Sequence, residues 1–565
     1  MPISGPFVLL DDARPGGRQL LLRDPIEIVS ADRAGDVPQA LNRLREAIGA
    51  GRHVAGYLSY DAGAGPSLWF GLFDRDEPFD IAELPDPAGA FCSAAEPSIS
   101  YEAYAAALAE AQALIAAGEV YQLNLTFPNR VSVGGHPLGL YARLRAEAGA
   151  GWGAVVHDGA RWLLSFSPEL FFRIEGQRII ARPMKGTERR GRSPAEDDAL
   201  AEALAADPKQ RAENLMIVDL LRNDLARVSA PGSVAVPELF AVERYPTVLQ
   251  MVSGVEAALA PDKDALDALE ALFPCGSITG APKHRAMQAI AAIEQAPRGI
   301  YTGAIGAIDP DGDAAFNVAI RTLVIDGEGE ASIGLGSGIV ADSRAPAEWE
   351  ECLAKGAFLR AGQPRFDLIE TMRFDAEEGL LELERHLARL KASAAALGFR
   401  FDRHAARNEL HAATFRLRDA ARVRLRLARS GALAIESRAL PPVPDKPVTV
   451  RIAPLPVDHA DVRLIHKTSD RGFYDRARRE SGCFEVVFVD EEGLLTEGSF
   501  TSLFVRRSDG LLVTPPLTRG LLPGVLRAAL IAEGEAIEGE LRREDLAQGF
   551  LIGNALRGLI EARLG

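Results

Sequence analysis

A chain of 565 residues with 47% apolar and 25% charged content can bury several cores, and its net charge of −16 disfavours nucleic acid and acidic membrane as partners. The cysteines Cys92, Cys275, Cys352 and Cys483 have no paired metal-ligand spacing and fit a reducing, cytoplasmic setting. No signal peptide is expected, and no apolar run reaches membrane-spanning length.

In chain order, Phe7–Leu10 and His53–Tyr60 read as strands, with a helix near Val37–Ala50 between them. Residues 81–98 are rich in Pro and Ala and read as a linker. A helix follows over Tyr101–Ala117 and stops at Gly118. Strands are expected at Trp152–His157, Trp162–Ser165, Leu170–Ile174 and Arg178–Ala181, and Arg182–Arg190 reads as a turn carrying Lys185. Helices are expected at Pro208–Arg227, from Pro282 onward, and at Ala347–Leu359. Gly362-Gln-Pro364 breaks the pattern. Beyond it lie a strand (Phe366–Phe374), a helix (Leu383–Leu397), and strands at Arg422–Ala428, Cys483–Asp490 and Thr501–Val505. No repeat relates the halves, so the chain reads as two α/β units, 1–362 and 363–565.

Lysine is scarce, with eight among 63 basic residues. Lys185 stands sixteen residues after Glu169 of Ser167-Pro-Glu-Leu170. A retained lysine points to amine chemistry, because a guanidinium does not deprotonate. Gln210 and Glu213 share one helix face, as do Glu348, Glu351 and Lys355. Such carboxylates suit Mg²⁺, or else form a plain solvated face. Gly276-Ser-Ile-Thr-Gly-Ala-Pro-Lys283 enters a helix where backbone N–H groups can receive an anion. Tyr301 and Arg321 are expected on adjacent strand-like runs, with Gly336-Ser-Gly338 upstream of the Glu348 helix.

These ordered segments, over about 100–360, resemble the chorismate-utilising enzymes, the family of anthranilate, isochorismate, salicylate and aminodeoxychorismate synthases. The resemblance implies a large antiparallel α/β sandwich flanked by helices. It implies Mg²⁺ on Glu213 and Glu351, with Glu348 and Gln210 in or near its water shell. Gln210 departs from the acidic residue often found there. Thr279, Gly280, Tyr301, Arg321, Gly338 and Lys355 would hold chorismate. Lysine at 185 matches the aminodeoxychorismate branch, whereas anthranilate synthases typically carry alanine. Lys185 would add at C2 while the 4-hydroxyl leaves with help from Glu169, and ammonia would then displace it through C4. An ordinary lysine is only about 0.1% neutral near pH 7.5, so the site must lower its proton affinity. No cysteine sits in a glutaminase-type elbow, so ammonia is expected from a separate glutamine amidotransferase subunit.

In the rear half, Glu384-Arg-His-Leu-Ala-Arg-Leu390, His466-Lys-Thr-Ser-Asp-Arg471, Gly493-Leu-Leu-Thr-Glu-Gly-Ser499, Gly520-Leu-Leu-Pro-Gly524 and Gly553-Asn554 follow in an order that resembles fold-type IV pyridoxal-phosphate enzymes. By that resemblance Lys467 holds the cofactor and moves protons, and Glu497 pairs with the pyridine nitrogen. Arg389, the Val525 and Leu526 backbone and Asn554 would hold the phosphate. Thr371 would face the cofactor. Ser502 and Leu526 depart from the Asn and Thr usual there. A homodimer through this domain is a further expectation.

Together the resemblances imply amination of chorismate to 4-amino-4-deoxychorismate, then loss of pyruvate to give 4-aminobenzoate for folate synthesis. Two alternatives stay open: an anthranilate-type synthase fused to an amino-acid aminotransferase, and a degenerate chorismate- or tryptophan-binding regulatory protein.

Overall fold

The structure is a computed structural model. It describes every residue except 1–4, 62, 64, 245–247, 327, 328, 364, 443, 445 and 446. Pro364 of the expected break lies outside the described residues. The chain divides into two compact units. The first comprises Met1–Leu84, Ala94–Val131 and Tyr141–Ala361, and the second comprises Pro85–Ser93, Ser132–Leu140 and Gly362–Gly565. The supposed linker at 81–98 is therefore structured. It carries single turns at Ile81–Glu83 and Pro87–Gly89 and short strands at Phe91–Cys92 and Glu96–Pro97. Asp80 and Asp86 start those turns by accepting from the N–H of Ala82 and Ala88, which explains how a Pro- and Ala-rich stretch holds a fixed path.

The first unit is a sandwich. Among the described residues it has an eleven-stranded and a ten-stranded sheet, with antiparallel pairing throughout the registers seen. Val8, Leu22, Val156 and Leu163 of one sheet pack against Tyr57, Trp69, Phe73 and Ile305 of the other. Burial of each such side chain is worth about 1.5–3 kcal/mol, so this interface outweighs any exposed ion pair on the unit. The outer face of the ten-stranded sheet is covered by helices Val37–Gly49, Pro208–Ala226 and Ala265–Leu272, through Leu41, Leu44, Ile217, Leu221, Leu266 and Leu269.

Three elements carry the site. The strand Gln122–Gly134 alternates Leu123, Leu125 and Phe127 with Gln122, Asn124 and Thr126, and both faces are buried at that end. The helix Pro208–Ala226 starts where Asp207 accepts from the Gln210 N–H at 2.9 Å, with Pro208 in the first turn. The helix Ala345–Lys355 ends four residues earlier than expected and gives way to a tighter turn over Ala357–Gly362.

The second unit holds a four-stranded antiparallel sheet under helices Leu383–Leu397 and Arg403–Thr414. Leu387, Leu390, Leu397 and Leu410 pack there on Leu368, Met372, Val423 and Leu425. A mixed eight-stranded sheet accompanies it, in which Val448–Pro454 runs parallel to both Glu485–Val489 and Gly558–Leu564. Both units match the expected α/β class.

Candidate active sites

Lys185 is on a strand, not in a turn. Met184–Arg189 pairs antiparallel with Val248–Ala258, and the register slips between Met184 and Thr187. Gly186 absorbs the slip with φ +94°, a conformation that L side chains rarely adopt. The lysine thus projects from an irregularity. Its Nζ lies beside Gly338: a Cβ at 338 would be 3.3 Å from Lys185 Nζ and 3.0 Å from both Gln122 Nε2 and Asn124 Oδ1. Burial, and next the charge of Lys355, lower the proton affinity of Lys185, while Glu213, Glu169 and Glu351 oppose them.

Glu169 is 5% exposed and follows the strand Trp162–Ser167. Its N–H donates to Ser167 Oγ at 3.2 Å, and its Oε1 accepts from Ser277 Oγ at 2.6 Å. Burial pushes its carboxyl up to about 7, against the Ser277 bond and the charges of Lys185 and Lys355. A carboxyl at that value can give and take protons near neutrality.

Glu213 lies on one helix and Glu348 and Glu351 on another, and the three do not form a closed ligand set. Among the described residues no group of three His, Cys, Asp or Glu is placed to hold a metal ion. Glu351 instead pairs with Lys355 at 2.9 Å, and Lys355 Nζ also donates to Gly336 O at 2.8 Å. Glu348 accepts from Ser343 Oγ at 2.7 Å. Glu213 has a raised carboxyl because of burial, and Asp342 and Glu348 add negative charge beside it. Gln210 Oε1 approaches the backbone at Gly186.

The expected anion cradle at 276–283 is partly spent on itself. The Thr279 N–H donates to Gly276 O, and its hydroxyl to Cys275 O at 3.1 Å. Lys283 Nζ bonds Asp224 at 3.0 Å and Leu272 O at 2.7 Å. Gly280, at φ 154°, pairs with Leu123, and a Cβ there would fall 2.2 Å from Gln122 O. Tyr301 and Arg321 sit in turns rather than on strands, just before Ala304–Ile308 and just after Ala314–Val318. The Thr302 N–H donates to Ala319 O at 2.9 Å and so ties the two turns together. The Tyr301 ring lies flat on Gly334 and borders a cavity of about 230 Å³ walled by Ile99, Phe127, Ile293 and Ile333. That cavity is mostly apolar, and Glu294 and Arg298 on its wall are paired with each other at 2.8 Å.

In the second unit Lys467 precedes an isolated bridge between Leu368 and Thr468, and its carbonyl accepts from the Ile369 N–H at 2.8 Å. Burial, and then the charge of Arg389, bring its amine down to about 7. Glu497 is 4% exposed and is pushed up to about 7 by burial. One of its oxygens accepts from Tyr474 Oη at 2.6 Å and the other from the Leu522 N–H at 3.2 Å. The helix Val525–Ala532 starts at Gly524 without a side-chain cap, leaving first-turn N–H groups of Val525 and Leu526 for an anion. A Cβ on Gly524 would meet Ser502 Oγ at 2.6 Å, so Ser502 lies at the same end of that helix. Arg389 is held differently from the expectation. Its Nε and Nη2 fork onto Glu370 at 2.9 and 2.6 Å, and Nη1 donates to Pro523 O at 3.0 Å. Asn554 is spent in its own turn: Nδ2 donates to Phe500 O, and Oδ1 accepts from the N–H groups of Leu556 and Arg557. Thr371 pairs with Arg424 across the four-stranded sheet.

Residues 80–361 match the family model described as chorismate binding enzyme, and residues 367–564 match the model described as amino-transferase class IV. The chain joins a chorismate binding enzyme domain to a class IV amino-transferase domain. The first domain is 43% identical over 251 residues to anthranilate synthase component 1 of Streptomyces coelicolor, covering 44% of this chain and 48% of that protein. It is 39% identical over 271 residues to aminodeoxychorismate synthase component 1 of Bacillus subtilis, covering 48% and 57%. The chain thus spans about half the length of the curated relatives it matches. Among solved structures, anthranilate synthase component I from Streptococcus pneumoniae aligns with TM-score 0.54 and 25% identity over 60% of this chain and 91% of that one.

Several polar residues of these two domains escape a motif reading. Gln122, Asn124 and Ser277 surround Lys185 and Glu169, while Glu370, His386 and Tyr474 surround Arg389 and Glu497. Gln122 and Asn124 left no signal of burial: polar side chains alternating with Leu123 and Leu125 read as a strand with one face in water, and only the fold buries both faces.

Proposed function

We propose that this chain makes 4-aminobenzoate in two steps, with residues 1–362 converting chorismate to 4-amino-4-deoxychorismate and 363–565 releasing pyruvate from it. The single observation that carries the first half is Lys185. It is an amine of lowered proton affinity, set beside a buried carboxyl near pH 7, in a domain whose relatives include both anthranilate and aminodeoxychorismate synthases. A direct attack of ammonia at C2 needs no lysine nucleophile.

Lys185 Nζ attacks C2 of chorismate. Both ring double bonds shift by one position, C1=C2 to C1=C6 and C5=C6 to C4=C5, the C4–O bond breaks, and Glu169 gives the departing hydroxide a proton, so water leaves. Ammonia then forms the C4–N bond, both double bonds shift back, and Lys185 leaves C2 as the amine. The arriving ammonia loses one proton, and Glu169 recovers it. Overall, ammonia replaces the hydroxyl and water is the by-product. Lys355, Tyr301, Arg321, Gly338, Gly280 and Thr279 line the surrounding segments and hold the substrate; Thr279 acts through its place in the backbone turn.

Mg²⁺ suits the acidic cluster. Crowded carboxylates with a raised carboxyl favour a divalent cation, and Mg²⁺ needs only one or two of them while keeping its waters. Glu213 and Glu351 would hold it, the latter once that carboxylate is free of Lys355, with Glu348 in or near its water shell.

Pyridoxal phosphate suits the second domain: an amine near pH 7, a buried glutamate and an uncapped helix start are the three groups it requires. When bound, the cofactor supplies an electron sink. Lys467 moves the C4 proton of the amino substrate, Glu497 keeps a proton on the ring nitrogen, and the N–H groups of Val525 and Leu526 receive the phosphate. Arg389 borders the same end of the helix through Pro523 O. Ammonia comes from a separate glutamine amidotransferase subunit, the protein works in the cytoplasm, and the second domain pairs with its copy as a homodimer.

The test is product analysis with chorismate, ammonia, Mg²⁺ and pyridoxal phosphate. 4-Aminobenzoate with pyruvate is expected. Anthranilate as the main product would overturn the reading of the first domain.

A further inference from the structure

Asn124 has one unsatisfied polar atom, and it is the one turned toward Gly338, a point that Lys185 Nζ also borders. The side chain is 7% exposed. Its backbone N–H donates to Thr279 O at 2.8 Å, its carbonyl accepts from Arg298 Nη2 at 2.8 Å, and its Nδ2 donates to Ser277 O at 2.7 Å. A carbonyl oxygen can only accept, so Ser277 O fixes which end of the amide is which. Oδ1 is thereby turned toward Gly338 and has no hydrogen-bond partner. Gln122, 1% exposed, has neither amide atom partnered and meets the same point over Gly338. A buried acceptor without a partner costs about 1–3 kcal/mol, so its retention asks for a donor that arrives in function. Lys185 Nζ shares that space.

We propose that Asn124 is a positioning residue for Lys185: Oδ1 accepts an N–H of the lysine amine and so turns the nitrogen lone pair toward bound substrate. A neutral amine has two N–H groups and one lone pair, so the acceptor that holds an N–H decides where the lone pair points. A neutral acceptor suits this task better than a carboxylate, which would hold the lysine as ammonium. The charged groups facing Lys185 from neighbouring elements are Lys355, Glu213, Glu169 and Glu351. Asn124 adds direction to that set without adding charge. Gly338 belongs to the device, because a Cβ there would crowd the amide oxygen and the amine together.

The inference rests on Lys185 being the nucleophile, but its test does not require turnover. Cyanate carbamylates only neutral amines and is small enough to enter the site. The fraction of Lys185 modified against pH, read by peptide mass spectrometry on the full chain, gives the pH midpoint of that amine. Asn124→Asp and Asn124→Ala both lose the bond to Ser277 O, so any effect of losing that anchor appears in both. Asn124→Asp should move the midpoint up by about one unit or more, and Asn124→Ala should not. Equal midpoints in the two variants would overturn the inference. If Asn124→Asp fails to fold, Asn124→Ala decides: kcat lower by roughly tenfold or more with KM for chorismate little changed supports it, and an unchanged kcat overturns it. Failure of the nucleophile reading looks different, since Lys185→Ala would then keep its turnover whatever the carbamylation midpoints are.

Discussion

Ser277 Oγ donates a 2.6 Å hydrogen bond to Glu169 Oε1, and both side chains are buried. The bond favours the carboxylate while burial favours the acid, and burial wins, leaving Glu169 near 7. As the acid for the departing hydroxyl, Glu169 must be protonated, so chorismate turnover should fall as pH rises through about 7. Ser277→Ala removes the bond that stabilises the charged form, so the same limb should move upward by roughly half a unit to one unit. The kcat profile of chorismate consumption checks this, and an identical limb in the variant would count against Glu169 as the acid.

Lys185→Ala should lower formation of 4-amino-4-deoxychorismate by about a thousandfold or more while chorismate affinity stays within a few-fold. Lys185→Arg should do the same, since it keeps the charge but cannot become a neutral amine at working pH. Product chromatography and chorismate titration separate the two effects. Near-normal product from either variant would remove the covalent lysine from the mechanism.

Glu213→Gln and Glu351→Gln should raise the Mg²⁺ concentration needed for half-maximal activity by roughly 10–100-fold. Product identity should not change, because neither side chain is the nucleophile. A Mg²⁺ titration of chorismate consumption decides it.

Lys467 has its midpoint near 7, and only the neutral amine can attach the cofactor, so the rate at which apo-protein gains visible absorption with pyridoxal phosphate should rise through about that pH. Lys467→Ala should prevent borohydride from fixing the cofactor to the chain and stop release of 4-aminobenzoate, while chorismate is still consumed. Glu497→Gln should slow only the second step. Wild-type 4-aminobenzoate output from Lys467→Ala, free of host lyase, would refute the assignment of the second domain.

The purified chain should use ammonium salts but not glutamine, and an added glutamine amidotransferase subunit should restore glutamine use. Glutamine-dependent turnover by the chain alone would contradict the expectation of a separate subunit.

Much of the scaffold was legible because its cues are local. Asp207-Pro208 announces a helix start, and Trp152–His157 reads as a strand and is one. The motif residues Glu169, Lys185 and Gly338 were legible as a set, and the fold brings them together. What the sequence hid was pairing at long range. The Arg182–Arg190 segment looks like a turn because of Pro183 and Gly186, yet its partner strand lies some sixty residues on and draws it into a sheet. The Glu370–Arg389 fork joins residues nineteen apart, and nothing near Arg389 reveals that its guanidinium is already engaged. Asn554 reads as a ligand but serves its own turn, because an amide that can cap two N–H groups locally does so.

Gly186 separates two kinds of constraint that usually fall on one residue. The backbone irregularity that presents position 185 is supplied by the glycine after it, whose φ of +94° few other residues tolerate. Position 185 itself is not in the left-handed region, so the demand on φ falls on the glycine and not on the reactive residue. The side chain at 185 can therefore be exchanged to test its chemistry while the neighbouring glycine keeps the backbone that presents it.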